Sequence, residues 1–280
     1  MSKIDEALSK AAESGARSLV PSYMPSGSRE SGTSMTQIVA PISSKRRGDI
    51  TLMLEPKQLT VSELNKKRIV HPDMPDVRIV DSFRRLRTKL LQDANGKNLT
   101  IMVTAVRAGG GASFTALNLA TVFSFDKAKT ALLLDCNMQS SSLRHILRTS
   151  SEVGLTDYLE SDSVSLDEII QPSGVPRLRW IPAGEQREIT HEYYSSVKMQ
   201  AMMKALKERY SDRYIIIDAP PVTQAADATI LADFCDCVLL VVPYGKVTER
   251  QIEAAAKLFE NHERVGVVFN DSPDYIKMAG

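Results

Sequence analysis

The chain is poor in cysteine, histidine and tryptophan, with three, four and one in 280 residues. Cys136, Cys235 and Cys237 form neither a Cys-x-x-Cys pair nor a zinc spacing with a histidine, which excludes a disulfide framework and a zinc centre. All three lie in or beside apolar runs and read as buried structural thiols. His71, His145, His191 and His262 are scattered without the spacing of a nucleophile or a metal site, and read as surface residues. Neither sign of charge is in excess, the formal net being +1, so a nucleic-acid binder or a polybasic membrane binder is not expected. No apolar run approaches the roughly 20 residues that span a bilayer, and Met1-Ser2-Lys3-Ile4-Asp5-Glu6 lacks a signal-peptide apolar region. A cytoplasmic protein is the resulting expectation. What is present, 43% hydrophobic and 25% charged residues, suffices for a full α/β domain.

Ser2 and Asp5 resemble a capping box, and Ile4, Leu8, Ala11 and Ala12 then recur at helical spacing, predicting an amphipathic helix over residues 1–14. Such a helix would engage a partner, a membrane surface or the body of the protein itself. Residues 15–75 read as largely flexible linker. Its first part, to residue 48, is rich in Ser, Pro and Gly and too poor in large apolar residues for a core, and it ends in the basic patch Lys45-Arg46-Arg47. A short helix is expected near 60–70, starting at Thr60 or Ser62 and stopped by Pro72 and Pro75.

Residues 76–280 read as one domain. Val80, Phe83, Leu86, Leu90 and Leu91 mark one face of a helix, with Arg84, Arg85, Arg87 and Lys89 around the remainder. Apolar runs follow at 99–106, 130–134, 178–181, 214–217, 238–242 and 265–269. Helical segments are expected between them at 113–126, 142–148, 155–160, 194–209, 224–233 and 247–261. Short β-rich runs separated by helices predict an α/β fold: a mainly parallel sheet with helices on both faces. In such a sheet, ligands bind at the carboxyl ends of the strands.

Four motifs fall there. Gly109-Gly110-Gly111-Ala112-Ser113 joins a strand to a helix, and three consecutive glycines let backbone N–H groups turn inward as an anion nest. Ser113 could give its hydroxyl to Mg²⁺. Two apolar runs end in aspartates, Asp135 and Asp218, and a third delivers the amide of Asn270. Each motif alone is weak, because an aspartate after a strand is often a cap or a turn residue. Four in order, each at a strand end, point to a phosphate-binding site.

On these residues the chain resembles the bacterial tyrosine kinases, the capsular and exopolysaccharide autokinases within the ParA/MinD-like class of P-loop proteins, over roughly residues 76–271. Arg107-Ala108-Gly109-Gly110-Gly111-Ala112-Ser113-Phe114 falls on the Walker A loop of the family. Leu134-Asp135-Cys136-Asn137-Met138-Gln139 falls on its Asp-x-Asp-x-Arg motif, Asp218-Ala219-Pro220-Pro221-Val222 on Walker B, and Gly266-Val267-Val268-Phe269-Asn270 on its last strand. Asp81-Ser82-Phe83-Arg84-Arg85-Leu86-Arg87 is similar to its Glu-x-x-Arg-x-x-Arg oligomerisation helix, which implies an oligomer built through Asp81, Arg84 and Arg87. The opening Met1–Leu8 is similar to the start of the exosortase-linked autokinases.

The departures bear on catalysis. Ala112 stands where the loop lysine belongs, so no ammonium neutralises the β and γ phosphates. Asn137 replaces the second acid, Gln139 the arginine and Phe114 a small hydroxylated residue, while the C-terminal tyrosine cluster is reduced to Tyr275. The resemblance then implies a catalytically impaired relative. Gly109, Gly110, Gly111, Ser113, Asp135, Asp218 and Asn270 remain as cofactor-binding candidates, Ser113, Asp135 and Asp218 as metal ligands, and ATP or ADP with Mg²⁺ is held weakly or not at all. Its expected role is a regulatory or scaffolding subunit in exopolysaccharide synthesis, recruited to the inner face of the plasma membrane only through a membrane polysaccharide co-polymerase or a kinase paralogue. An active tyrosine autokinase and a ParA/MinD-like positioning ATPase are the alternatives.

Overall fold

The computed structural model describes residues 58–94, 97–147, 153–209 and 212–272. The helix expected at 1–14, the linker up to residue 57 and Tyr275 lie outside them. The elements, in chain order, are α1 (Val61–Lys67), α2 (Val77–Asp93), β1 (Thr100–Ala105), α3 (Ala112–Phe123), β2 (Thr130–Asp135), α4 (Leu143–Ile146), α5 (Leu155–Glu160), α6 (Leu166–Ile169), β3 (Gln171–Pro172), β4 (Leu178–Ile181), α7 (His191–Ser195), α8 (Val197–Arg209), β5 (Arg213–Asp218), α9 (Ala225–Ala232), β6 (Cys237–Pro243), α10 (Glu249–Lys257) and β7 (Val265–Asn270). The strands form one sheet in the order β3-β4-β2-β5-β1-β6-β7, parallel throughout except for the β3–β4 pair.

The apolar runs became strands because both faces of the sheet are covered. Alternate residues of β1 part company: Ile101, Val103 and Ala105 join a core with α2 and α3, and Met102 joins the opposite one with α8, α9 and α10. The same split sends Leu133 and Leu132 of β2, and Ile216 and Ile217 of β5, to opposite sides. Every strand residue from β1, β2, β5 and β6 is buried, which is why these segments read as continuous apolar runs rather than as alternation.

Several expectations need correction. The linker reading fails from Gln58 onward: Ile69, Val70 and His71 are 0, 1 and 4% exposed and lie under the body of the fold. Here α1 starts at the cap of Thr60, whose hydroxyl accepts from the Glu63 N–H, and ends at Arg68 in the left-handed conformation, before either proline. His71, expected at the surface, is buried with its ring nitrogen 3.0 Å from the Asn65 side-chain oxygen. The helix expected over 194–209 is two helices. Ser196 is extended (φ −64°, ψ 148°), gives its hydroxyl hydrogen to the Tyr193 carbonyl at 2.7 Å and accepts from the Met199 N–H at 3.1 Å, ending one helix and capping the next. The helix expected at 142–148 is the single turn α4, and 113–126 and 247–261 shorten to α3 and α10. Neither α6 nor the two-residue β3 left a periodic signal.

Candidate nucleotide site

The phosphate loop connects β1 to α3 at the carboxyl edge of the sheet. Two features demand glycine at position 111. Its φ is +94°, and a Cβ there would meet the Asn270 side-chain nitrogen at 2.1 Å. Gly110 is pressed against the Ala105 Cβ and the Arg107 carbonyl, leaving no room for a side chain. Asn270, at the end of β7, donates from its side-chain nitrogen to the Gly110 carbonyl at 3.2 Å. Its amide nitrogen is thus committed to holding the loop from behind.

Asp135 and Asp218 end adjacent parallel strands in direct register, and both are 0% exposed. Asp135 is well supported: one carboxylate oxygen accepts from the Asn137 N–H at 3.0 Å and the other from the Ser141 hydroxyl. Neither oxygen of Asp218 has a hydrogen-bond partner of good geometry. Burial, and then the charge of Asp135, push the Asp218 carboxyl well above its ordinary range, with the Ser113 hydroxyl acting against the rise. Burial raises Asp135 as well, with Ser141, Asn137 and Arg144 opposing. A buried, unpartnered carboxylate beside a hydroxyl is a donor set that fits Mg²⁺. Magnesium commonly takes one or two carboxylates and fills its remaining positions with water and substrate phosphate. Among the described residues there is no group of three or more His, Cys, Asp and Glu that could hold a metal by itself.

The four departures have definite places. Ala112 is the first residue of α3, 9% exposed, and the first turn of that helix carries no basic side chain. Asn137 accepts from the Ser140 N–H at 3.3 Å and serves as a turn former. Phe114 packs edge-on against Phe83 of α2, with ring centroids 6.2 Å apart. Gln139 donates to the Glu188 carbonyl at 2.8 Å and accepts from the Gln224 side chain, while its own carbonyl receives Gln186 at 2.5 Å. It ties the segment after β2 to residues 186–188 and to the approach to α9. Arg107 is exposed, its guanidinium 3.4 Å from the Lys246 carbonyl.

Of the oligomerisation candidates, Asp81 and Arg84 stay on the outer side of α2, 3.8 Å apart. Arg87 turns inward and donates to the Val122 carbonyl at 2.7 Å, capping the far end of α3. Sequence reasoning missed Ser141, Gln224 and Asn118, and the pairing of the Thr190 hydroxyl with Asp227 that joins α7 to α9.

The AAA domain family model matches residues 98–270. Tyrosine-protein kinase CpsD of Streptococcus agalactiae serotype Ia is 30% identical over 71% of this chain and 84% of its own length. The chain belongs to the bacterial tyrosine kinase family. Among solved structures of the family, the BceF tyrosine kinase domain superposes with a TM-score of 0.60 at 30% identity, covering 69% of this chain and 78% of that domain. The MinC:MinD cell division complex of Aquifex aeolicus shares the fold, with a TM-score of 0.52 at 20% identity over 64% of this chain and 72% of that one. The mainly parallel P-loop fold of the family is kept here, with Ala112 in the loop between β1 and α3. Among the described residues no helix is long and apolar enough to cross a membrane.

Proposed function

We propose that this chain is a catalytically impaired member of the bacterial tyrosine kinases that acts as a regulatory or scaffolding subunit in exopolysaccharide synthesis and export. The observation that carries this reading is Ala112 at the head of α3, in a chain whose Asp135 and Asp218, ending adjacent strands, are both buried. Phosphoryl transfer is catalysed almost entirely by positioning and by charge stabilisation, and the loop lysine is one of its recurring parts. A hydrogen bond to a charged group is worth about 1.5–3 kcal/mol, and more in a desolvated site. The carboxylates compound the loss. Asp135 and Asp218 would hold Mg²⁺ if phosphate oxygens complete its shell, yet the phosphate has lost its own cation. Asn137 cannot accept a proton at neutral pH, so the activating acid is missing too. Partners of such a subunit are a membrane-anchored polysaccharide co-polymerase, a kinase paralogue or copies of itself, and its place is the inner face of the plasma membrane.

Calorimetric titration of the full chain with ATP and Mg²⁺, beside an Ala112→Lys, Asn137→Asp variant, tests the reading. Restoring the lysine should tighten binding by roughly 10- to 150-fold, the equivalent of one charged hydrogen bond. Micromolar binding accompanied by tyrosine phosphorylation in the unmodified chain would show an active autokinase instead. ATP turnover without phosphotyrosine would favour a positioning ATPase.

A further inference from the structure

Among the described residues, no strand pairs with the outer side of β7. The sequence of β7, Val265-Gly266-Val267-Val268-Phe269-Asn270, contains no charge and no proline, the devices that keep exposed strand edges apart. Two of its side chains are exposed well beyond a core residue, Val265 at 36% and Phe269 at 51%. Its inner side is spoken for: the Arg264 carbonyl accepts from Val238 at 2.9 Å and the Asn270 carbonyl from Tyr244 at 2.8 Å. Because backbone groups alternate along a strand, the even-numbered residues face β6 and the N–H and C=O groups of Val265, Val267 and Phe269 face outward. The same three residues send their side chains to one face of the sheet.

We infer that β7 pairs with β7 of a second copy of this chain, antiparallel about a twofold axis at Val267. Val265 then lies opposite Phe269 of the second copy, Val267 opposite its own counterpart, and Phe269 opposite Val265. This is a register in which every outward-facing residue meets another outward-facing one. Each pair exchanges both backbone bonds, so about six N–H···O=C bonds form and no outward group of the strand is left over. Side chains directly opposite in an antiparallel pair share a face, so the exposed Phe269 ring covers the exposed Val265 at both ends, an aromatic and β-branched pairing that favours sheet association. The other edge cannot continue the assembly, because β3 is two residues long and one of them is Pro172. Self-pairing therefore closes at a dimer, as an isologous interface must. The surface lies on a different element from the one that carries Asp81 and Arg84 on α2.

Sedimentation of the full chain across the micromolar range, together with amide hydrogen exchange, tests this. The expected results are a monomer–dimer equilibrium and protection of the Val265, Val267 and Phe269 amides that rises with protein concentration. Phe269→Lys should weaken the dimer by at least about tenfold. Arg84→Ala should leave it unchanged, and circular dichroism should show both variants folded. Should Phe269→Lys not fold, Val265→Thr, which keeps the β-branched shape while wetting the pair, should weaken the dimer in the same direction. A chain that stays monomeric overturns the inference. So does association that ignores the β7 variants, or protection of these amides that does not depend on concentration, as a segment of the same chain lying on the edge would give.

Discussion

At the scale of single residues, the site sets two buried carboxylates side by side and gives a full set of partners to one of them. Asp135 rests on Ser141 and on the Asn137 N–H, whereas neither oxygen of Asp218 has a partner of good geometry, the Ser113 hydroxyl being its one polar neighbour that favours the charge. Burial and the neighbouring Asp135 raise Asp218 above its ordinary 3.8, so the folded protein binds a proton there more tightly than the unfolded chain does. Stability linked to this group is greatest below the unfolded value and falls as pH rises toward and through the folded one. Asp218→Asn keeps the shape and removes the charge. Without Mg²⁺ or nucleotide, it should raise the melting temperature at pH 7.5 by roughly 2–8 °C, the response of a body this size to 1–2 kcal/mol. The gain should vanish toward pH 4, where the parent is protonated as well. An equal gain at both pH values, or a loss at pH 7.5, would mean that Asp218 is not the strained member of the pair.

At the scale of elements, the phosphate loop is braced by a segment that precedes it by some forty positions. Asn118, 0% exposed in the middle of α3, accepts from the Val70 N–H at 2.7 Å and donates to the Arg68 carbonyl at 3.2 Å. It also reaches back to the Phe114 carbonyl at 3.0 Å. Residues 68–71 are thereby fastened to the helix whose first turn borders the candidate nucleotide site. Asn118→Ala would orphan a buried donor and weaken a buried acceptor, costing roughly 2–4 kcal/mol in urea unfolding. It should also release the Val70 amide to exchange. A loss below about 0.5 kcal/mol, within the scatter of surface substitutions, would show the segment held by apolar packing alone. All strands but β3 were legible in the sequence, the four central ones because burial on both faces makes them unbroken apolar runs, and the two aspartates and the asparagine stand out where apolar runs stop. This brace was not, since Thr60 to Pro75 is largely polar and broken by two prolines, and its apolar anchors, Ile69 and Val70 with Leu64 and Met74 beside them, are few and without a clear period. Asn118 did carry a signal: a lone amide inside Ala116-Leu117-Asn118-Leu119-Ala120 needs partners if that stretch is buried. Gln139 and Gln224 carried none, because glutamine pairs across loops whose approach no local pattern encodes. Nor could the break at Ser196 be told from a helical serine before its hydroxyl was seen bonding on both sides.

At the scale of the whole molecule, an intact sheet with an altered phosphate loop leaves recruitment to surfaces and to the segment ahead of the fold. Charge by itself would give only weak direct adhesion to an anionic membrane. The net charge is +1, and Lys45, Arg46 and Arg47 contribute about 1 kcal/mol each near an anionic surface, far short of a stable anchor. If the chain works as a subunit, a membrane partner must hold it, and residues 1–14, with their apolar positions at helical spacing, are the segment proposed to do so. If the residues between that segment and the folded body act as a tether, that contact and those of the body can form at once, and the second then gains from the effective concentration set by the first. The full chain should therefore float with vesicles that carry the polysaccharide co-polymerase and stay behind with vesicles of the same anionic lipid alone. Removing residues 1–14 should reduce co-flotation by about tenfold or more, the loss of a single micromolar-class contact, while the melting temperature of the body stays unchanged. Equal flotation of the shortened chain would move the recruiting contact to the folded body and leave the tether without a role.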